Sequence, residues 1–315
     1  MENNGKERKM SKEDVCILIP TLNEGKTIGG LVREFRSLGY DNILVIDGHS
    51  TDDTVNNAES AGAKVVVQRG TGKGQAVSQA FQSITSKYIV MIDGDGTYLP
   101  EEVDKLLEPV IAGIADHVIG NRFTNYQRGA FTRLNLFGNR ILNTIFGFAY
   151  SIWLKDILSG YRAFNNHAIK QIELNRTGFE VETEITIECV KKELKTVEVP
   201  ITYLARVSGA DTKLRPLRDG FRIASTIYLL ARTHNPLFYF NLIGGLLTVS
   251  GVAIGIYVVD EWLKEITHVP LTILATLLIL TGIQMFIFAI LSDLIVSVHK
   301  ENMHVMRKIL EGKER

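Results

Sequence analysis

Cysteine is nearly absent: Cys16 and Cys189 are the only two in 315 residues. So few exclude a disulfide framework and a cysteine-rich zinc site. Cys16 stands in the apolar run VCILIP and Cys189 in a helical pattern, so both are expected as buried thiols of a reducing compartment. Net charge is absent too, because 35 Lys+Arg balance 35 Asp+Glu. A neutral chain lacks the broad basic surface of a nucleic-acid binder, and no nucleic acid is expected as a partner. Charged residues of any sign are missing from two long stretches, between Arg232 and Asp260 and between His268 and Asp293. Over the whole chain 22% charged and 45% apolar residues make an ordinary globular composition, which excludes a mostly disordered chain.

Each uncharged stretch can hold a helix of about 24 residues, roughly 36 Å long at 1.5 Å per residue. A bilayer core needs ~30 Å. Two transmembrane helices follow, over Pro236–Val259 and Val269–Ser292; soluble core helices of that length would keep a polar face. Lys213, Arg215, Arg218, Arg222 and Arg232 precede the first span, and Lys300, Arg307, Lys308, Lys313 and Arg315 follow the second. The loop between them sets Lys264 against Asp260, Glu261 and Glu265. Positive residues stay inside, so both termini are expected in the cytoplasm of a multi-pass protein of the cell membrane, or of the ER membrane in a eukaryote. The first 14 residues have no apolar core and read as a disordered tail, not a signal peptide.

Before the spans, strand and helix patterns alternate. Short apolar runs at Val15–Ile19, Ile43–Ile46, Lys64–Val67, Tyr88–Ile92 and His117–Ile119 are separated by helical patterns near Thr27–Leu38, Asp52–Ala61, Gln75–Ile84 and Pro100–Ile111. This predicts an α/β fold with a mostly parallel sheet covered on both faces. Ser50 and Asp53 stand at capping-box spacing for the second helix.

Ligands of such sheets bind beyond the carboxyl ends of the strands. Four such ends carry Pro20-Thr21-Leu22-Asn23-Glu24, Asp47-Gly48-His49-Ser50, Arg69-Gly70-Thr71-Gly72-Lys73-Gly74 and Asp93-Gly94-Asp95-Gly96. The glycine-rich segment is not a P-loop, since Lys73 is followed by Gly74 and the four-residue spacer is missing. It reads either as a structural turn or as a turn with some phosphate or base contact. Asp93 and Asp95, one residue apart at a strand end, can reach a hard divalent cation, Mg2+ or Mn2+, that also takes phosphate oxygens.

The order PTLNE, VIDGHSTDDT, RGTGKGQA, IDGDGTYLPEE, GNRF, R-x-x-x-x-GN and DILSGYRAF resembles the family 2 glycosyltransferases of GT-A fold. More narrowly, it resembles the polyprenyl-phosphate glycosyltransferases of the dolichol-phosphate mannose synthase and dolichyl-phosphate N-acetylglucosamine synthase type. Family members often carry Asp-Asp-Gly-Ser where this chain has Asp47-Gly48-His49-Ser50, so one carboxylate is missing. The resemblance covers about 15–213, which is expected as the catalytic domain; the charge and hydropathy pattern adds an amphipathic interfacial helix over 214–234, two transmembrane helices within 235–298 and a cytoplasmic tail over 299–315. The resemblance implies that Pro20, Asn23, Glu24 and Asp47 hold the base and ribose of a nucleotide sugar. Asp93 and Asp95 would handle metal and diphosphate, and Arg206 and Lys213 would belong to a mobile basic loop over the phosphates. Ser159, Gly160 and Arg162 match an SGFR-like motif whose role stays open. Glu180, Glu182 and Glu184 read as alternating exposed acids, with the approach of at least one of them to the site as the alternative.

On the acceptor side, Arg122 at the end of the fifth strand, Arg133 and Asn139 would meet a lipid phosphate. The apolar stretches Ile141–Leu154 and Leu214–Leu230, each beside arginines, are expected to lie in the membrane interface. A lipid phosphate is already charged near pH 7, its second pKa being about 6. No dedicated base is then needed, and catalysis rests on Asp95, Arg122 and Arg133 aligning acceptor and leaving group. Inversion is implied. The expected donor is UDP-N-acetylglucosamine or UDP-glucose and the acceptor a polyprenyl or dolichyl phosphate, with GDP-mannose as the competing donor. Two other functions stay open: transfer to a carbohydrate hydroxyl, and a non-catalytic scaffold for lipid-linked sugar. Processive enzymes of the first kind carry a Q/R-x-x-R-W element, in which neither Trp153 nor Trp262 lies. The intact Asp93/Asp95 pair argues against the second. Homo-oligomerisation also stays open.

Overall fold

The computed structural model describes residues 11–178, 180–206 and 216–313. The chain divides into two compact units, Met1–Gly147 with Ile152–Ile227, and Phe148–Ser151 with Tyr228–Arg315.

In chain order the elements are β1 (Val15–Thr21), α1 (Ile28–Ser37), β2 (Ile43–Asp47), α2 (Thr54–Ser60), β3 (Lys64–Val67), α3 (Lys73–Ser83) and β4 (Tyr88–Met91). They continue with α4 (Val103–Ile111), β5 (His117–Tyr126), α5 (Arg133–Tyr150), β6 (Arg162–Asn165), α6 (Asn166–Gln171), α7 (Val181–Lys191), β7 (Thr196–Tyr203) and α8 (Pro216–His234). The seven strands form one sheet in the order β3-β2-β1-β4-β6-β5-β7. Only β6 runs antiparallel to its neighbours, β4 and β5.

All seven residues of β1 are buried, as a central strand covered on both faces requires. Its side chains alternate: Val15, Ile17 and Ile19 join the core under α1 and α4. Cys16 and Leu18 join the core under α3, α6 and α7. Helix α1 buries Ile28, Leu31, Val32 and Phe35, the i, i+3, i+4, i+7 stripe of a surface helix. Both cysteines are buried thiols, pushed up to about 12 by burial.

Three expectations are corrected. Strand β5 does not stop at Ile119 but runs to Tyr126, so Arg122 lies within the strand instead of at its end. Its register with β7 shifts between Asn121 and Asn125, across from Pro200, which has no N–H for the ladder. The capping box does not form. Ser50 Oγ donates to Asp47 Oδ1 at 2.5 Å, and Asp53 makes no side-chain cap. The acids of α7 are not exposed: Glu182 and Glu184 are 4% and 2% accessible.

The second unit holds α9 (Pro236–Trp262) and α10 (Val269–Lys313), which pack against each other. Apolar composition long enough to cross a membrane covers Pro236–Trp262 and Val269–Val298. Small residues set the helix pairing. A Cβ on Gly244 would stand 2.9 Å from the Gly282 carbonyl oxygen, and one on Gly251 would stand 2.9 Å from that of Ala275. Leu246, Val249, Ile256 and Val259 of α9, like Leu277, Ile290 and Leu294 of α10, face outward, the opposite of a soluble core pair.

Candidate active site

The exits of β1 and β2 are stitched together by hydrogen bonds. Asn23 N donates to Ser50 Oγ at 2.8 Å, and Thr51 N donates to Asn23 Oδ1 at 2.8 Å. Glu24 N donates to Thr54 Oγ1 at 2.8 Å, and Gly25 N donates to Asp52 Oδ2 at 3.0 Å. Asn23 takes φ 50°, in the left-handed region that Asn tolerates better than most residues. Asp47 ends β2, 1% accessible, accepting Ser50 N at 2.9 Å on Oδ2. Pro20 lies in β1 opposite Ile46. Four residues expected at the base and ribose, Pro20, Asn23, Glu24 and Asp47, therefore gather on one edge. His49 (φ 67°) turns its Nε2–H onto the Gly70 carbonyl at 3.0 Å, tying this edge to the glycine-rich loop.

The exit of β4 supplies the carboxylate pair. Asp95 is 5% accessible. Its Oδ1 accepts Thr97 N at 3.1 Å and Thr97 Oγ1 at 2.6 Å, which fixes the side chain in its own turn. Its Oδ2 accepts Arg206 Nη2 at 2.6 Å. Burial works against the Arg206 charge, but Asp95 outweighs it and the guanidinium is held above its ordinary value. Asp93 Oδ1 accepts Lys73 Nζ at 2.5 Å, and Lys73 also donates to Glu182. Burial opposes the Lys73 charge, yet the two carboxylates raise its pKa.

Sequence reasoning gives Lys73 no role beyond its glycine-rich segment, takes Glu182 only as one of three acids that could approach the site, and does not single out Asp156. Lys73 begins α3 because the loop before it packs on the Arg176–Thr177 backbone: Gly74 N donates to Thr177 O at 3.0 Å. A Cβ on Gly72 would overlap the Thr177 carbonyl, and one on Gly74 the Arg176 carbonyl. Glu184 clamps that segment by accepting Asn175 N and Arg176 N at 3.0 and 2.9 Å. Gly72 and Gly74 thus serve close backbone approach, whereas Gly70 lies against the Gln75 side chain.

Arg122 is 8% accessible and bonds Asp156 in bidentate fashion, Nε to Oδ2 and Nη2 to Oδ1, both at 2.7 Å. Burial opposes its charge and Asp156 restores it, raising the pKa well above the usual value. Its guanidinium also lies over the Tyr203 and Phe131 rings, at 5.2 and 5.6 Å from their centroids. Arg133 opens α5 in an exposed position, and Asn139 Nδ2 donates to Asn135 O at 2.7 Å. The outward face of α5 carries Leu134, Phe137, Ile141 and Phe148. Helix α8 buries Ile223 and Ile227 and exposes Phe221 and Leu229. Lys213 lies outside the described residues.

The donor set fits a hard divalent cation. Asp93 and Asp95 offer carboxylate oxygens from one strand end, and Mg2+ is commonly held by one or two carboxylates with the rest supplied by water and phosphate. Among the described residues no group of three or more His, Cys, Asp or Glu converges on a metal position, so ligands beyond the two aspartates would come from water, phosphate or other oxygen donors.

A mostly parallel seven-stranded sheet with a carboxylate pair at its carboxyl edge is the arrangement found in the GT-A fold. The model of the family "Glycosyl transferase family 2" matches residues 16–173, and the chain belongs to that family. It is 47% identical to glycosyltransferase AglJ of Haloferax volcanii, over 92% of this chain and 96% of the relative. It is 31% identical to a dolichyl-phosphate hexose transferase of the same organism, over 68% of this chain and 92% of the relative. The fold matches glucosyl-3-phosphoglycerate synthase from Mycobacterium tuberculosis, solved with Mn2+ and UDP-glucose. The TM-score is 0.54 at 22% identity, covering 69% of this chain and 77% of that one.

Proposed function

We propose that this glycosyltransferase moves one monosaccharide from a nucleotide sugar to a polyprenyl (dolichyl) phosphate, with inversion, in the assembly of an N-glycan or surface glycan. UDP-N-acetylglucosamine and UDP-glucose are the favoured donors and GDP-mannose the alternative. The observation that carries the reading is the charge pattern at the end of β4. Two carboxylates, Asp93 and Asp95, are each bonded to a long cationic side chain, Lys73 and Arg206. Alternating carboxylates and cations match the alternating charges of a metal diphosphate. The relative named as a dolichyl-phosphate hexose transferase supports the lipid acceptor, and the fold neighbour solved with Mn2+ and UDP-glucose supports donor and metal.

Asp93 and Asp95 would hold Mg2+ or Mn2+, which when bound neutralises charge on the departing diphosphate. Pro20, Asn23, Glu24 and Asp47 would orient base and ribose. Arg206, with Lys213 beyond it, would lie over the phosphates. Arg122, with its orientation fixed by Asp156, would present its remaining N–H donors to the acceptor phosphate, with Arg133 and Asn139 beside it. The acceptor oxygen is anionic from the start, so alignment replaces proton removal. The apolar face of α5 and the arginines of α8 suit the membrane interface, and the spans of α9 and α10 anchor the chain with catalytic unit and both termini cytoplasmic.

The test is incubation of membranes carrying the full chain with a panel of nucleotide sugars and short polyprenyl phosphates, read by mass spectrometry. A product one hexose or N-acetylhexosamine heavier than the lipid phosphate, lost with a chelator, is expected. Transfer to a carbohydrate hydroxyl with none to lipid would overturn the reading.

A further inference from the structure

Arg162 is the largest fully buried side chain of the first unit, and the four groups its guanidinium bonds are all neutral. Nε donates to Ser159 O and Nη2 to Ile157 O, both at 2.7 Å. Nη1 donates to Thr186 Oγ1 at 2.8 Å and to His117 Nε2 at 3.2 Å. A guanidinium has no lone pair to offer, so His117 Nε2 is the acceptor and its proton sits on Nδ1, 3.2 Å from Thr196 Oγ1. Burying a cation without a bonded carboxylate is costly, and hydrophobic residues would fill the same space more cheaply. What the side chain does instead is grip two carbonyls of one short turn.

That turn, Asp156–Arg162, touches both halves of the site. Its first residue holds Arg122: Asp156 takes Nε and Nη2 of the guanidinium, and the Arg122 backbone N–H at 3.0 Å as well. Near its other end, Gly160 lies against Asp93 so closely that a Cβ there would overlap the carboxylate. Gly160 N donates to Tyr98 Oη at 2.9 Å. The Tyr98 ring in turn meets Tyr203, which lies under the Arg122 guanidinium. The outer edge of the turn is held from α5 and β7, where Asn143 accepts Ile157 N at 3.2 Å and Glu198 accepts Asp156 N at 2.8 Å.

We propose that Arg162 is a positioning residue for both substrates: by pinning the Asp156–Arg162 turn it fixes the donor-side carboxylate Asp93 and the acceptor-side guanidinium Arg122 at one mutual spacing. The inference rests on the roles assigned to Asp93 and Arg122 above. In-line transfer needs the acceptor oxygen and the departing diphosphate aligned across the anomeric carbon, and misplacement by 1 Å costs about 10²-fold. One rigid turn spanning both groups supplies that spacing without a residue of its own touching the reacting atoms.

The test is Arg162→Lys in the full chain. An ammonium on a flexible stem cannot span Ser159 O, Ile157 O and His117 Nε2 together. Expected is a fall in kcat of about 10²-fold per folded molecule, with KM for nucleotide sugar and for lipid phosphate each within about 3-fold. Paired with Asp156→Asn, the loss should be far less than the product of the single losses, because both act through one turn. Unchanged kcat per folded molecule, or fully multiplicative losses, would overturn the proposal. Hydrogen exchange supplies a readout independent of activity. In Arg162→Lys the amides of Gly160 and Arg122 should lose protection together while those of β1 and β2 keep it. Loss at neither, or loss across the whole sheet, would also overturn it. If the wild type transfers no sugar to lipid, the functional reading fails, and the exchange pattern still decides whether Arg162 pins both groups.

Discussion

Asp95 gives one oxygen to Thr97 and one to Arg206, so its geometry is set before any ligand arrives. Asp95→Asn keeps the turn but removes the charge a cation would meet. We expect kcat to fall by about 10²–10³-fold, or about 2.7–4 kcal/mol, in a protein that still folds, with a small loss of melting temperature from the broken Arg206 pair. Near-wild-type turnover with the same metal dependence would remove Asp95 from the diphosphate site. The two acceptor-side arginines should fail differently. Arg122→Ala strands Asp156, which is fully buried, and should cost about 3–5 kcal/mol of stability besides activity. Arg133 is exposed, so Arg133→Ala should change stability by less than about 0.5 kcal/mol. It should raise KM for lipid phosphate while leaving that for nucleotide sugar alone. Thermal unfolding beside kinetics against each substrate separates the cases, and an Arg133→Ala defect confined to nucleotide-sugar KM would reverse the donor and acceptor sides.

Helix α3 shows how a segment stays open to two readings when its partners are distant in sequence. The glycine-rich segment at its start reads as a structural turn or a phosphate-contacting one; Gly72 and Gly74 face the Thr177 and Arg176 carbonyls about a hundred residues on, and Lys73 faces Asp93 and Glu182. Gly74→Ala should therefore cost about 1–3 kcal/mol by overpacking and weaken donor binding by displacing Lys73. Gly30→Ala in α1, where a Cβ meets nothing within 4 Å, should instead stabilise by up to about 1 kcal/mol. Equal melting temperatures for the two variants would contradict the packing. The short apolar strands β1 to β4 and their helices were legible because burial on both faces leaves an unbroken apolar run. Strand β6 was not: RAFN is four residues with a buried arginine at its head. The paired carboxylates and the arginines stood out by residue type. Glu182 and Glu184 did not, since their spacing resembles a solvated edge and only Lys73 and the Asn175–Arg176 amides reveal them as satisfied buried acids.

For the molecule as a whole, stability against pH and attachment to the membrane follow from different parts of the chain. Burial, then the neighbouring Arg162, depresses the His117 pKa well below 6.5. Below about pH 6.5 the unfolded chain binds a proton that the folded one refuses. Stability should therefore fall as pH drops from there toward the folded pKa, by up to about 1.4 kcal/mol per pH unit, and His117 adds no slope above pH 6.5. Glu184 and Glu198 are raised by burial and act with the opposite sign nearer the carboxylate range. The readout is thus the difference in melting temperature between pH 7 and pH 5.5 for wild type against His117→Asn. An equal drop in both would remove His117 as the cause. Attachment is expected of the helices from Pro236 onward, whose exposed Leu, Ile and Val side chains suit lipid around them. The sheet, both its cores and every described donor-side residue precede them. Removing residues from Asn235 to the C-terminus should release a folded unit that leaves the membrane pellet and binds nucleotide sugar with its affinity little changed. That unit should use long-chain polyprenyl phosphate poorly, because the lipid must then be drawn out of the bilayer to a protein no longer held beside it. A truncated unit that unfolds cooperatively on heating but has no affinity for any nucleotide sugar would show instead that the apolar helices complete the donor site.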